Sequence, residues 1–275
     1  MNPRILLLAL MLLLSTACTS LQDVDEVSAY PDENPRLAPT FTLVTWNVAK
    51  GAKSSTPEIA ETIIKLTEGS PSSLVALQEA TPKMLSIPGR GADFARSFRW
   101  WWSDTLSGVA LLSSTPPMTT HPITVAQREF GYTTPKMGLA AVYPVADRNG
   151  KTHRLLVITL HGLNFELSPG GLSAQMEKIH ERVSPFKGPV VICGDFNTWS
   201  NQRLAVVKKA LPHFMEIPVT GKRPGTSPLV ALIGGNTQLA LDHIFYRGLT
   251  PRGPATAFPT PLSDHAPVMA RFTLP

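Results

Sequence analysis

Six short polar clusters stand out in the sequence, and five of them adjoin an apolar run. Their chemically active residues are Asn47, Glu79, His161, Asn164, Asp195, Asn197, Asp242, Asp264 and His265. Hard cations such as Mg²⁺ or Mn²⁺ prefer carboxylate and amide oxygens as ligands. Zinc does not share this preference. Histidines beside such a cation suit hydrolysis of a phosphate ester. The residue types therefore predict a metal-assisted hydrolase.

The apolar runs predict the strands that position these clusters. FTLVTWN, SLVALQE, RLLVITLH, PVVICGDFN and LALDHIF are short and rich in β-branched and other apolar residues, as buried strands are. A strand that ends in a carboxylate, amide or imidazole places a polar group at the rim of a sheet. Several such endings in one chain indicate that the strand ends converge on one site.

The hydrophobic pattern along the chain predicts many strands and few helices. The expected strands are 41–48, 73–79, 96–103, 108–113, 138–145, 153–161, 189–195, 239–246 and 266–273. The expected helices are 56–68, 170–184 and 201–212, the first with Pro57 at its first position and Gly69 just past its end. Because strands far outnumber helices, we expect two packed sheets with helices outside them, not one doubly wound sheet.

Composition excludes several classes of protein. Of 275 residues, 43% are hydrophobic and 16% are charged, so the chain can build a substantial core and is too apolar to be disordered. The net charge of +5 is compatible with an anionic substrate. The lysines and arginines are scattered, however, which is not the pattern of a dedicated nucleic-acid-binding surface.

The first eighteen residues have the pattern of an export signal. Arg4 precedes an apolar stretch from Ile5 to Leu14, which is too short for a permanent membrane helix. Ser-Thr-Ala-Cys follows and resembles a bacterial lipobox, so lipidation of Cys18 is expected; Ser15 departs from the usual leucine and leaves cleavage near Ala17 or an uncleaved anchor open. We expect residues 19–40 to form a flexible tether and residues 41–275 to form one domain.

The ordered motifs Thr-Trp-Asn, Leu-Gln-Glu, Gly-Asp-Phe-Asn and Ser-Asp-His resemble the endonuclease/exonuclease/phosphatase superfamily, whose members include DNase I and neutral sphingomyelinases. HGLNF, GDFNTWSNQR and LDHIFYRGL are similar to its bacterial YafD-like branch. The resemblance covers about residues 41–275 and implies a DNase I-like α/β fold, a four-layer sandwich of two packed mixed sheets flanked by helices. It also implies a divalent-metal-dependent hydrolase of phosphate esters.

Roles for individual residues follow from the same resemblance. It implies that Asn47, Glu79 and Asp264 bind the metal and that Asp195 orients or deprotonates the attacking water. Asn197 would bind the phosphate, His265 would stabilise its charge and Asp242 would orient His265. It places His161 near the leaving group and makes Asn164 a second phosphate contact.

The sequence does not identify the substrate. Extracellular nucleic acid and phospholipid headgroups such as sphingomyelin both fit an exported phosphodiesterase, and a non-catalytic envelope protein that binds with the same fold is the alternative class. We expect a monomer in the cell envelope, attached to a bacterial membrane if Cys18 carries lipid, and periplasmic otherwise. The Trp100–Trp102 run has two interpretations, a core strand or an aromatic contact to ligand.

Overall fold

The computed structural model describes residues 24–31, 35–51, 55–99, 106–129, 135–164, 170–221 and 239–275. The export segment with Cys18 and the Trp100–Trp102 run lie outside these ranges, so the predictions made for them remain predictions. The described strands, in chain order, are β1 (Val24–Ser28), β2 (Thr40–Asn47), β3 (Ser73–Ala80), β4 (Gly91–Arg99), β5 (Leu106–Ser113), β6 (Thr119–Ile123), β7 (Gly138–Ala146), β8 (Thr152–His161), β9 (Val190–Asp195), β10 (Met215–Glu216), β11 (Val219–Thr220), β12 (Asp242–Arg247), β13 (Thr250–Pro251), β14 (Ala255–Ala257) and β15 (Val268–Thr273).

The strands form two mixed sheets. The first has the order β1-β4-β5-β3-β2-β15-β14-β11, with β13 beside β15, and the second has the order β10-β12-β9-β8-β7-β6. Each sheet has one parallel pair near its centre, β2 with β3 in the first and β8 with β9 in the second. The ends of these two pairs carry most of the polar clusters, so the sheet topology brings the clusters to one rim.

Three helices cover the outer faces within the described part of the chain. They are α1 (Thr56–Thr67), α2 (Gly170–Val183) and α3 (Asn201–Ala210). Ser55 caps α1 and exchanges hydrogen bonds with Glu58, which satisfies two backbone N–H groups at the helix start. Ser200 caps α3 by accepting from the backbone N–H of Arg203.

Three apolar clusters fill the spaces between these layers. The largest lies between the sheets and contains inner-face residues of both, such as Leu43 and Leu111 from the first and Val157 and Val191 from the second. The other two join the second sheet to α2 and α3, and the first sheet to α1. The predicted α/β sandwich of two packed mixed sheets flanked by helices is therefore confirmed.

The segment expected to be a flexible tether makes contacts with the domain in its described parts. Strand β1 pairs antiparallel with β4, and the Ser28 hydroxyl donates to the Arg90 carbonyl. Leu37 is fully buried in the main core, and its backbone bonds both Pro144 and Ala146. An apolar side chain and free backbone groups at a sheet edge were enough to recruit a polar segment to the domain.

The other differences concern short elements. Strand β4 begins at Gly91, five residues before the predicted start, and β6 lies between the predicted strands 108–113 and 138–145, where no strand was expected. In the described residues no helix combines the length and apolar character needed to cross a membrane.

Candidate active site

Strand register aligns the polar clusters. His161 at the end of β8 is the register partner of Asp195 at the end of β9, and Asp195 is in turn the partner of Asp242 at the start of β12. In the other sheet, Asn47 at the end of β2 pairs with the residue before Glu79 on β3. These pairings place five predicted site residues at the same rim of the sandwich.

A hydrogen bond between side chains joins the two sheets at this rim. Asn47 Nδ2 donates to Asp195 Oδ2 across 3.0 Å, and both residues are buried. Asn47 Oδ1 accepts from the backbone N–H of Ala49, so the amide orientation is fixed. The other oxygen of Asp195 accepts from the backbone N–H of Asn197 at 2.9 Å. Asp195 is therefore held rigidly from both sides.

Gly194 allows the close approach of strands that this arrangement needs. Its φ of 138° is in the region that side chains rarely adopt, and a Cβ atom there would lie 2.1 Å from the Leu160 carbonyl oxygen. The glycine before Asp195 is thus required by packing between β8 and β9. This close approach of the Leu160 carbonyl explains why the Gly-Asp-Phe-Asn motif begins with glycine.

Asp242 and Asp195 surround the imidazole of His265. The Nδ1 atom of His265 lies 2.8 Å from Asp242 Oδ2, and its Nε2 atom lies 3.7 Å from Asp195 Oδ2. Burial opposes a charge on the ring, but the Asp242 and Asp195 carboxylates outweigh it and raise the pKa of His265 to about 10. His265 is therefore an imidazolium at neutral pH, which suits it to bind an anionic phosphate.

In Asp195, the effect of burial on the pKa outweighs the effect of the neighbouring positive charge. Burial raises its pKa to about 6, against the opposing charge of His265. At neutral pH it is mostly ionised, yet it is more basic than an exposed aspartate. A carboxylate with these properties can orient a water molecule and accept its proton.

His161 differs from His265 in charge. Its Nε2 atom lies 3.1 Å from Lys136 Nζ, 3.6 Å from Glu79 Oε1 and 3.7 Å from Asp195 Oδ2. Burial and the Lys136 ammonium hold the pKa of His161 well below its usual value, so the ring is neutral at physiological pH. The two predicted catalytic histidines thus offer one neutral ring and one cation.

Glu79 lies between two lysines that sequence reasoning missed. Lys50 forms an ion pair with Oε2 of Glu79, and Lys136 Nζ lies 3.6 Å from Oε1. Burial alone would raise the pKa of Glu79, but the charges of Lys136 and Lys50 outweigh it and lower that pKa, so the carboxylate is ionised. A topological signal existed for Lys136: it precedes β7, which runs antiparallel to β8, so it falls beside the end of β8.

Two buried polar residues from the helical layer hold the loops of the site. Gln175 of α2 is fully buried, accepts from the Leu163 N–H and donates to the carbonyls of Lys136 and His161. Arg203 of α3 donates to the carbonyls of Asn197 and Leu163. These hydrogen bonds go to backbone groups, so the residue types and their spacing in the sequence do not indicate a role in the site.

Two of the predicted residues lie at the margin of this group. Asn164 is engaged by Trp199, whose indole N–H donates to its Oδ1 at 2.8 Å, and its backbone N–H donates to Glu129. Asp264 is exposed, and the Ser263 hydroxyl lies 3.4 Å from its Oδ1. The structure thus gives Asn164 a role in packing and leaves Asp264 at the mouth of the site.

Two residues that adjoin site residues in the sequence, Trp46 and His243, have structural contacts of their own. The Trp46 indole N–H donates to the His265 carbonyl at 3.0 Å, and Trp46 is fully buried. His243, next to Asp242, turns away and contacts Glu216 and Thr198. Because side chains alternate along a strand, His243 lies on the face opposite to Asp242.

The donor set fits a divalent cation. Glu79 is ionised, Asn47 Oδ1 has a free lone pair, and Asp242 Oδ1 is buried without a hydrogen-bond partner among the described residues. Asp195, Asp242 and His265 also lie close enough together to hold an ion. Glu79 and Asn47 form a second candidate set of oxygen donors at this rim.

The fold places this protein in the DNase I-like class, whose fold supports phosphoesterase chemistry. Residues 44–265 match the model of the Endonuclease/Exonuclease/phosphatase family, and the chain belongs to that family. A UPF0294 protein of Yersinia pestis is 30% identical over 84% of this chain and 82% of its own length. A UPF0294 protein of Vibrio campbellii is 33% identical over 63% of this chain, and the chain spans 60% of that relative.

Solved structures share the fold at low identity. A Bacteroides vulgatus endonuclease/exonuclease/phosphatase has a TM-score of 0.63 at 13% identity, covering 86% of this chain and 99% of that one. The human Nocturnin catalytic domain with a bound sulfate has a TM-score of 0.57 at 18% identity, over 92% and 98%. The D. rerio TDP2 complex with single strand DNA product has a TM-score of 0.62 at 14% identity, over 85% and 99%.

Proposed function

We propose that the protein hydrolyses phosphodiester bonds with the help of a divalent cation. The observation that carries this proposal is the pairing of an ionised Glu79 with the Asp242–His265–Asp195 cluster at one rim of the sandwich. An anionic phosphate needs positive charge around its oxygens and a base for the attacking water. The described residues provide both.

Each residue then has one task. Asp195 receives the proton of the attacking water, since its pKa of about 6 lets it be both ionised and basic at neutral pH. The His265 imidazolium, oriented by Asp242, neutralises a phosphate oxygen. One N–H of the Asn197 amide donates to the Gly162 carbonyl, which leaves the other for the phosphate.

A cation held by Glu79 and Asn47 would supply Lewis-acid stabilisation of charge on the phosphate and the leaving group. Mg²⁺ and Mn²⁺ are the ions that suit these oxygen donors. His161 is neutral and accepts a hydrogen bond from Lys136, so Lys136 contributes the positive charge near the leaving group.

The substrate we favour is nucleic acid. The TDP2 neighbour was solved with a single strand DNA product, and its fold aligns with most of this chain. Phospholipid headgroups are the second candidate, because a lipid anchor at Cys18 would hold the domain against a membrane. Under both hypotheses we expect an exported monomer in the cell envelope.

The test is hydrolysis by the purified full-length chain with Mg²⁺, with Mn²⁺ or with EDTA. Substrates are bis-p-nitrophenyl phosphate, p-nitrophenyl phosphate, plasmid DNA and sphingomyelin vesicles. Turnover that requires metal and is lost in Glu79→Gln and His265→Gln supports the proposal. Glu61→Gln and His213→Gln are matched controls, because both residues are exposed and lie outside the site. A folded wild-type protein that turns over no substrate with either metal would favour the non-catalytic binding protein.

Export and anchoring have their own test. Mass spectrometry of the membrane-extracted protein would show a lipid on an N-terminal Cys18 if the lipobox interpretation is right. Cys18→Ala would then release the domain from the membrane fraction. An intact N-terminus beginning at Met1 would contradict both processing routes.

A further inference from the structure

Lys50 is held against the Glu79 carboxylate by an unusual backbone. Ala49, Lys50 and Glu79 all have positive φ values, 47°, 56° and 52°. Such conformations are uncommon outside glycine and concentrate at functional sites, where the surrounding structure maintains them. Here they occur on both partners of one ion pair, with Glu79 near the end of β3 and Lys50 in the turn that follows Asn47.

Both oxygens of Glu79 face ammonium groups. Lys50 contacts Oε2, and Lys136 Nζ lies 3.6 Å from Oε1. The Lys136 side chain is 8% exposed and lies between Glu79 and His161, whereas the Lys50 side chain is 26% exposed and reaches the carboxylate from the rim. Lys50 is therefore the lysine that can move off Glu79 without disturbing the core.

We propose that Lys50 is a built-in competitor for the cation, so that the metal must displace its ammonium from Glu79 in order to bind. This inference rests on the proposed assignment of the cation to Glu79. A positive charge beside a carboxylate weakens the binding of a second positive charge there, and the effect is strong where water is largely excluded. The centre would then bind its cation weakly and reversibly.

Removal of the competitor should tighten cation binding. We expect Lys50→Met to lower the Kd for Mn²⁺, measured by calorimetry on the full-length protein, by about tenfold or more. Lys50→Gln should do the same, and Lys50→Arg should retain the weak affinity of the wild type because it keeps the charge. Lys65→Met is the matched control, because it removes an exposed lysine of α1 and should leave the Kd unchanged.

The outcomes separate this inference from the proposed function. Unchanged or weaker Mn²⁺ binding in both neutral variants, with a wild type that does bind Mn²⁺, would overturn the competitor role and leave the proposed metal dependence intact. If Glu79→Gln binds Mn²⁺ as tightly as the wild type, the cation lies elsewhere, and the competitor inference fails together with the assignment of the cation to Glu79. Thermal unfolding of each variant establishes that the compared proteins are folded.

Discussion

Lys136 and His161 form a buried contact in which an ammonium nitrogen faces an imidazole nitrogen at 3.1 Å. An ammonium group only donates, so Nε2 of His161 has to accept, and the ring proton lies on Nδ1. In this arrangement Nε2 is not a proton donor to a leaving group. The positive charge next to His161 belongs to the lysine, which makes Lys136 part of the site.

Lys136→Met should raise the pKa of His161. Burial would still keep this pKa below the usual value, but the second cause of the depression, the neighbouring ammonium, would be gone. Histidine side-chain ¹⁵N NMR across a pH series measures the change. Lys151→Met, at an exposed turn, is the control and should leave the His161 titration as in the wild type. A shift to a lower pH in Lys136→Met would contradict the assigned contact.

Asp242→Asn should lower the pKa of His265 from about 10, because its foremost stabilising charge is removed while burial continues to oppose ionisation. His265 has to be charged to act, so wild-type activity should fall as pH rises through about 10. In the variant this alkaline limb should move to lower pH, and kcat/KM at neutral pH should drop about 10- to 100-fold.

A pH profile of kcat/KM for Asp242→Asn checks this prediction. Asp147→Asn is a matched control, since Asp147 pairs with His153 at 2.9 Å on the surface in the same kind of contact. An alkaline limb that stays in place in Asp242→Asn would mean that His265 does not set it.

Arg203→Met should destabilise the fold by about 2–4 kcal/mol, because two buried carbonyls, those of Asn197 and Leu163, lose a charged donor. Urea unfolding gives the difference in free energy. Arg182→Met on the exposed face of α2 should stay within about 0.5 kcal/mol of the wild type. Equal stability of the two variants would show that the Arg203 contacts contribute nothing net.

Gly194→Ala should cost about 3 kcal/mol or more, since the new methyl group would clash with the Leu160 carbonyl and the backbone would be strained. Gly150→Ala isolates the strain, because Gly150 also has a positive φ but nothing lies within 4 Å of an added Cβ. We expect that control to cost about 1–2 kcal/mol in urea unfolding. A Gly194→Ala protein as stable as the control would mean that β8 and β9 separate easily.

The sequence was informative where the site depends on strand ends. Glu79, Asp195 and Asp242 each adjoin a β-branched, apolar run, so the strand pattern predicted both the strand and the polar residue beside it. The sequence of one strand does not show which strand pairs with it, however. Lys136 comes near His161 only because β7 runs antiparallel to β8, which periodicity alone does not reveal.

Residues that act through backbone contacts were not predictable from type and spacing. Gln175 reads as one buried position of an amphipathic helix, and its contacts to Lys136 and His161 exist only after α2 packs on the second sheet. The contacts that the predicted tether makes with the domain were missed for a similar reason. Its strand β1 has no clear alternation of its own and is specified by the edge of β4.

The hydrogen bond from Asn47 to Asp195 has a consequence for how the protein matures. Asn47 belongs to one sheet and Asp195 to the other, and 148 positions separate them along the chain. A chain that has formed only one sheet contains the site residues of that sheet alone, and Asp195 lacks the hydrogen bond from Asn47. Competence to cut a phosphate ester would therefore appear only after the two halves dock, and a nascent or partly folded chain would be inert.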